Sequence, residues 1–442
     1  MNIAFYFNNS GIPKQDYSKI RYGNPGIGGT QYAMILLATL LAEKKYKNKK
    51  FYFFAESIYG IPESLNVKDV STLAKLSQQI DNCEIDILVV NKGGKNTLDK
   101  RFFSAIKNNN VKIIIWDHCF IPYFDLLSYA RNKKVARIVT VGKEQLMTFC
   151  DHKAFKKSTY IYNLCNYCLP PIMPFANRKN NVVYIGSIVP LKGLHLLTKA
   201  WPKIIKNIPD AQLYIIGSGK LYNKNAQLGE FGIAEYFYEK ELLKPILNEE
   251  HKIISSVHFL GIMGDEKFEI MNNAKLVVPN PSGLTETFGY TAIEAQLSGC
   301  LVTTKKCPGY LDTVFNHENL YDKVDDLSDF VINLLKKTDY DPSYSINYVK
   351  NKFSSEKILS QWMELFDDVF LNKSVLNKEV NTDFPPSKRK IINAKLQKYI
   401  CFLPSLMLYE MFLQKIKYFL VKMFDLKNTI KKFSKRKLNI PF

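Results

Sequence analysis

The chain has 442 residues, 46% of them hydrophobic and 23% charged, which is ample for two globular domains with separate cores. Its net charge of +20 is unevenly spread: fourteen of the 61 basic residues but only two of the 41 acidic ones lie after Asp383, so the last 59 residues carry +12. No run reaches the roughly 20 apolar residues that cross a bilayer, which excludes an integral membrane protein. The eight scattered cysteines, with no basic apolar leader, point to a reduced, cytoplasmic chain rather than a disulfide scaffold.

Apolar strand-like runs alternate with amphipathic helical patterns from the start. Strands are expected at Ile3–Phe7, Phe51–Ala55, Ile85–Val90, Val111–Trp116 and Ala136–Val141, with helices at Tyr32–Lys44 and Glu144–Cys150. This order predicts parallel βαβ units and a doubly wound sheet. Prolines 170, 171 and 174 interrupt the pattern between Asn163 and Asn181, as a linker would. The pattern restarts with strands at Val182–Ile185, Leu213–Ile216, Val257–Leu260, Leu276–Val278 and Leu301–Thr303, a helix at Gly193–Ile208 and a closing helical stretch at Tyr344–Phe370. The division expected is 1–165, 166–370 and a connector with a basic helical extension over 371–442. Two such halves bind ligands in the cleft beyond the carboxyl ends of their strands.

Several loops in that cleft carry candidate chemistry. Glu286 and Glu294 flank Thr287, Phe288, Gly289 and Tyr290, and a helix is expected from Gly289. Eight residues of helix rise about 12 Å, too far for two carboxylates acting on one glycosidic bond, which sit about 5–9.5 Å apart. The spacing suits two grips on one long ligand, and the free amides of Phe288, Gly289 and Tyr290 at a helix N-terminus suit an anion between them. A nucleotide-sugar has hydroxyls at both ends and phosphate in the middle. Gly28 and Gly29 belong to a glycine-rich loop before the first helix that is not a P-loop, since no Gly-Lys-Ser/Thr follows. His118 follows an apolar strand, with Asp117 as its orienting partner or as a competing candidate. Cys165 and Cys168 have the spacing of a metal knuckle but lack a second pair, so no metal is expected.

The run from Pro281 to Gly289, continued by Ile293-Glu294-Ala295 and Ser298-Gly299-Cys300-Leu301-Val302, resembles the donor-site signature of family 4 of the retaining glycosyltransferases. Pro308 to Asp312 resembles its follow-on, with Asp312 where Glu is commoner. Val183 to Gly193 is similar to the family's strand-loop-helix, in which an Arg follows the glycine and a Lys comes five residues later; here Gly186 is followed by Ser187, and Lys192 holds the second position. Leu213 to Gly219, with Gly217 at the turn, and Val257 to Gly261 fit the next two strand ends. The resemblance implies an α/β GT-B fold of two Rossmann-like domains facing a central cleft. It implies catalytic roles for His118, Lys192 and Glu286, and a donor site drawn from Gly28, Gly29, Gly186, Ser187, Lys192, Gly217, Glu286, Thr287, Phe288, Gly289, Tyr290 and Glu294. By the same resemblance Glu286 approaches the donor sugar, Glu294 the ribose and Lys192 the diphosphate, with no cofactor and no metal.

The tail mixes Lys and Arg with Ile, Leu, Phe, Tyr and Met, including an apolar band from Leu413 to Phe424. Basic amphipathic helices favour anionic membrane surfaces. The resulting expectation is a peripheral enzyme on the inner face of the cell membrane, taking a UDP-linked donor and a glycan or lipid-linked acceptor in surface glycan (lipopolysaccharide or capsule) synthesis. The alternatives are a nucleotide-sugar epimerase, an inverting transferase, and a non-enzymatic protein binding membrane or nucleic acid; concentration of charge in the tail disfavours nucleic acid as a partner.

Overall fold

A computed structural model of the chain describes residues 1–9, 15–44, 46–92, 98–166, 169–220, 226–375, 380–400 and 402–416. The first half holds strands β1 (Asn2–Phe7), β2 (Lys50–Ala55), β3 (Val67–Asp69), β4 (Ile87–Val90), β5 (Lys112–Asp117), β6 (Val135–Thr140) and β7 (Ser158–Tyr160). Between them run helices α1 (Gly29–Glu43), α2 (Leu73–Asn82), α3 (Lys100–Ala105), α4 (Tyr123–Arg131) and α5 (Lys143–Met147). The second half holds β8 (Lys179–Ile185), β9 (Gln212–Ile216), β10 (Val257–Gly261), β11 (Ala274–Val277) and β12 (Leu301–Val302). Its helices are α6 (Leu194–Asn207), α7 (Tyr236–Leu243), α8 (Lys267–Asn272), α9 (Tyr290–Leu297), α10 (Pro308–Thr313), α11 (Leu327–Leu335) and α12 (Ser343–Lys352), followed by α13 (Ser355–Phe370) and α14 (Pro385–Leu396).

The strands form two sheets, ordered β3-β2-β1-β4-β5-β6-β7 and β10-β9-β8-β11-β12, and the strand pairs are parallel. Parallel strands covered on both faces read as continuous apolar runs, as in Ile-Leu-Val-Val of β4 and Ile-Ile-Ile-Trp within β5. The chain reverses direction across each sheet beside its first strand, at β1/β4 and at β8/β11. Crevices at such reversals are where doubly wound sheets hold ligands.

Two short strands, β3 and β7, are absent from the sequence reading; both are edge strands of three residues, too short for a periodic signal. The closing helical stretch is divided at Phe353 and Ser354. Its first part, α12, has Tyr348 hydrogen-bonded to the carbonyl of Asp312 in the second half. Its second part, α13, lies on the first sheet, where Trp362 meets Trp116 at 4.9 Å and Phe366 meets Phe5 at 6.3 Å between ring centroids. That apolar cluster also takes in Phe288, Ile293 and Leu297, so α9 and the loop before it pack on the core of the first sheet.

Candidate active site

Lys192 and Glu286 come from the loops after β8 and β11, the two strands that flank the reversal of the second sheet. Lys192 Nζ lies 2.8 Å from Glu286 Oε2, with the side chains 19% and 17% exposed. Burial pushes the Glu286 carboxyl up, but the Lys192 charge, its hydrogen bond and those from Asn280 and the Gly289 amide outweigh it, leaving the group below its ordinary value. The carboxylate nearest the start of α9 is thus the chain's own Glu286. The loop itself is firmly held. Asn280 Nδ2 donates to the Leu284 carbonyl at 2.9 Å, Ser282 Oγ to the Leu191 carbonyl at 2.6 Å, and the Gly309 amide to the Glu286 carbonyl at 3.2 Å. These bonds keep Thr285 at φ 59, a left-handed conformation that costs a β-branched residue on the order of 1–3 kcal/mol.

Gly289 caps α9 at φ 79, and a Cβ there would lie 2.6 Å from a Tyr310 ring carbon, so both conformation and space demand glycine. Glu294, on the second turn of α9, is buried. Its Oε1 accepts from Lys267 Nζ at 2.7 Å, with only 4% and 6% of the two side chains exposed. Lys267, at the start of α8, was absent from the sequence reading. A lysine on a short helix gives no periodic sign of a partner 27 residues away, and only the fold brings the pair together.

His118 directly follows β5 of the other sheet. Burial pushes its imidazole down to about 3, so the ring is neutral at physiological pH. Asn91 Nδ2, just after β4, lies 2.9 Å from His118 Nδ1. With that amide assigned as donor, Nδ1 accepts and Nε2 carries the proton. Asn91, rather than Asp117, therefore orients the ring: Asp117 turns Oδ1 to the Cys119 amide at 2.9 Å, and burial lifts its carboxyl to about 6. The two halves meet here, for Thr287 Oγ1 donates to the His118 carbonyl at 2.5 Å. Gly29 and Tyr32 of α1 abut Tyr290, the latter as an edge-on ring pair at 5.4 Å.

Gly186 and Gly217 touch each other at the ends of β8 and β9, where a Cβ on Gly217 would lie 1.9 Å from the Gly186 carbonyl oxygen. Ser187, where the family signature has Arg, is buried and brings no cation. The Phe288 side chain is buried in the cluster on the first sheet. Four buried polar atoms, Asp117 Oδ2, His118 Nε2, Ser187 Oγ and Tyr290 OH, have no hydrogen-bond partner among the described residues. Unpartnered buried atoms also occur in the core, at Trp116 Nε1 and Trp362 Nε1 among others, so these four are notable only for lying on the loops that the sequence singled out. No group of three or more His, Cys, Asp or Glu placed to hold a metal occurs among the described residues, and Cys168 lies outside them.

Residues 170–351 match the family model described as glycosyl transferases group 1. The chain is 27% identical over 323 residues to an uncharacterized glycosyltransferase of Haemophilus influenzae, spanning 66% of this chain and 81% of that protein. It is 22% identical over 205 residues to the phosphatidylinositol N-acetylglucosaminyltransferase GPI3 subunit of Saccharomyces cerevisiae, a match spanning 45% of this chain and 41% of that protein. Among solved structures it is similar to Anabaena HepE in complex with UDP and glucose, with a TM-score of 0.59 at 18% identity over 83% of this chain and 100% of that one, a likeness of fold. The chain has a GT-B fold built on two parallel α/β sheets, and its residues 170–351 are similar to the glycosyl transferases group 1 family.

Proposed function

We propose that the protein transfers a sugar, with retention of anomeric configuration, from a nucleotide diphosphate-sugar to a glycan or lipid-linked acceptor. The observation that carries this reading is the Lys192–Glu286 pair at the reversal of the second sheet, tied by Thr287 to His118 of the first. In this reading one cation, one carboxylate and one neutral Nε2–H donor serve a single donor site. In this reading Lys192 turns to the diphosphate and stabilises it as it leaves, Glu286 takes the sugar hydroxyls, His118 donates from Nε2 to the sugar, and Glu294 holds the ribose. The bond from C1 to the diphosphate oxygen breaks, with the electron pair leaving on the phosphate. The acceptor oxygen bonds C1 on the same face, and its proton passes to the departing phosphate. Electrostatic stabilisation and orientation supply the rate.

A neutral imidazole and an ion-paired Glu286 fit this division of labour, because neither serves as a general acid near pH 7. A uridine nucleotide is favoured by the UDP and glucose named for HepE. A lipid-linked acceptor, as in surface glycan assembly, is favoured by the phosphatidylinositol named for the yeast relative and by the basic tail. Nucleoside diphosphate release from a panel of nucleotide-sugars, with the product anomer read by NMR, tests the reading. Release from no donor would sink it, and a product of inverted anomer would limit it to transfer without retention.

A further inference from the structure

Residues 385–400 and 402–416 pack against the first domain largely through polar side chains. The buried residues of α14 are polar: Ser387, Lys390 and Asn393, followed by Gln397. Lys390 Nζ donates to the Thr148 carbonyl at 2.7 Å and pairs with Glu410 at 2.9 Å. The buried Asp151 carboxylate accepts from Asn393 Nδ2 at 2.8 Å, Ser405 Oγ at 2.9 Å and the Leu406 amide at 2.7 Å, while its carbonyl accepts from Gln397 Nε2 at 3.0 Å. Glu144, on α5, accepts from Thr382 Oγ1 and the Asp383 amide. Polar groups thus share the docking with Ile391 and Met407, which are partly buried against the apolar cluster of the first domain.

The outward face is the reverse. At about 100° per residue, Lys388, Ile392, Lys395, Leu396 and Tyr399 share one side of α14 and its following turn, opposite the buried polar row. Ile392 and Leu396 are exposed, and Tyr399 and Phe402 at the turn are 87% and 89% exposed. Residues 406–416 form a second helix, which exposes Tyr409, Phe412, Leu413 and Ile416 at positions i, i+3, i+4 and i+7. Two adjacent helices presenting apolar stripes to solvent, rimmed by Lys388, Arg389, Lys395, Lys398 and Lys415, need a partner.

We propose that this two-helix plate is a rigid dock for an anionic lipid bilayer. Lysine is depleted from protein interfaces but suits acidic headgroups, and tyrosine and phenylalanine suit the interfacial layer. The 59-residue segment that contains the plate carries +12, so the charge is complementary to acidic lipid. The dock is fastened to α5, whose Glu144 amide also donates to Asp312 of the second domain at 2.8 Å. Lipid binding therefore sets the tilt of the whole cleft over the membrane instead of merely tethering it. This deepens the lipid-linked acceptor reading and rests on it only for its purpose, since lipid binding is measured without turnover.

The test uses the full chain and flotation with phosphatidylglycerol/phosphatidylethanolamine vesicles, against neutral phosphatidylcholine vesicles. Two variants change exposed residues only: Lys388→Ala/Lys395→Ala/Lys398→Ala and Ile392→Glu/Leu396→Glu. The wild type is expected to float with the acidic vesicles alone. At about fivefold per basic residue near lipid, the triple variant should lose about a hundredfold in partitioning. The double variant should lose at least tenfold, with UDP binding unchanged in both. Unaltered flotation of both variants would overturn the proposal, as would a shift from dimer to monomer in the double variant with flotation intact, which would assign the plate to a second copy. Absence of UDP binding with normal flotation would count against the proposed function and not against the dock.

Discussion

Replacing Lys192 by methionine removes the ammonium 2.8 Å from Glu286 Oε2 while keeping most of the side-chain volume. At an effective dielectric of about 20, a pair at that distance attracts by about 6 kcal/mol before desolvation is counted. Breaking a fully buried pair costs about 3–5 kcal/mol, and about a sixth of each of these side chains meets solvent, so a loss of about 2–4 kcal/mol is expected. The pH dependence has a definite sign. In the wild type the Glu286 carboxyl lies below its ordinary value, so its stabilisation is present above the unfolded value and lost as pH falls through the lower folded one. Without Lys192, burial dominates and the carboxyl rises, so the deficit is largest near neutral pH and narrows on acidification. Thermal unfolding from pH 5 to 8 reads this directly. Turnover, followed by nucleoside diphosphate release, should fall about 10²–10³-fold through lost stabilisation of the leaving group. The double variant Lys192→Met/Glu286→Gln should recover stability but not turnover. A Lys192→Met protein within about threefold of wild-type turnover would refute the assignment of Lys192 to the diphosphate.

Lys267→Met strands the Glu294 carboxylate in an almost fully buried setting and should cost about 3–5 kcal/mol in chemical denaturation. Adding Glu294→Gln should restore most of that stability while nucleotide affinity, measured by calorimetry, stays low. Gly289→Ala forces a side chain into the left-handed region and against the Tyr310 ring, and about 2–4 kcal/mol should be lost in the same denaturation assay. Asp312 bridges the domains, accepting from the Glu144 amide and from Tyr162 OH at 2.8 Å each, and burial raises its carboxyl to about 6 despite the nearby Lys352 charge. The stability contributed by its neutral form is full below the ordinary value of 3.8 and lost as pH rises through about 6. Asp312→Asn should remove that fall from a melting profile taken between pH 4 and 7.

Much of the scaffold is legible in the chain. Runs such as Ile87–Val90 and Ile113–Trp116 are apolar throughout because parallel strands are buried on both faces, and the glycines and prolines between them mark the loops. Glu286 and Glu294 could be singled out by their spacing across a helix start, and Lys192 by its place in the family signature. The three-residue strands β3 and β7 left no trace, since so short a segment shows no period and gains its backbone partners only at a sheet edge. The helical character of 355–370 was plain from its apolar stripe, but a stripe says only that something covers it, and that something is the first sheet.

The pairings of charged and polar groups required the folded chain. Asn91 on His118, Lys267 on Glu294, the Gly289 amide on Glu286 and the cage around Asp151 all join residues distant in sequence or in orientation, through bonds with no periodicity to read. The tail makes the contrast sharpest. Its composition alone announced a basic, apolar segment, but which face docks and which stays in solvent was decided by Asp151, a buried carboxylate that satisfies itself with the polar side of the helix and so leaves the apolar side outward. Local sequence determines elements because backbone geometry imposes periods of two and 3.6 residues. Charge partners are determined by the tertiary structure because a buried ion accepts only the neighbours that packing brings within about 3 Å.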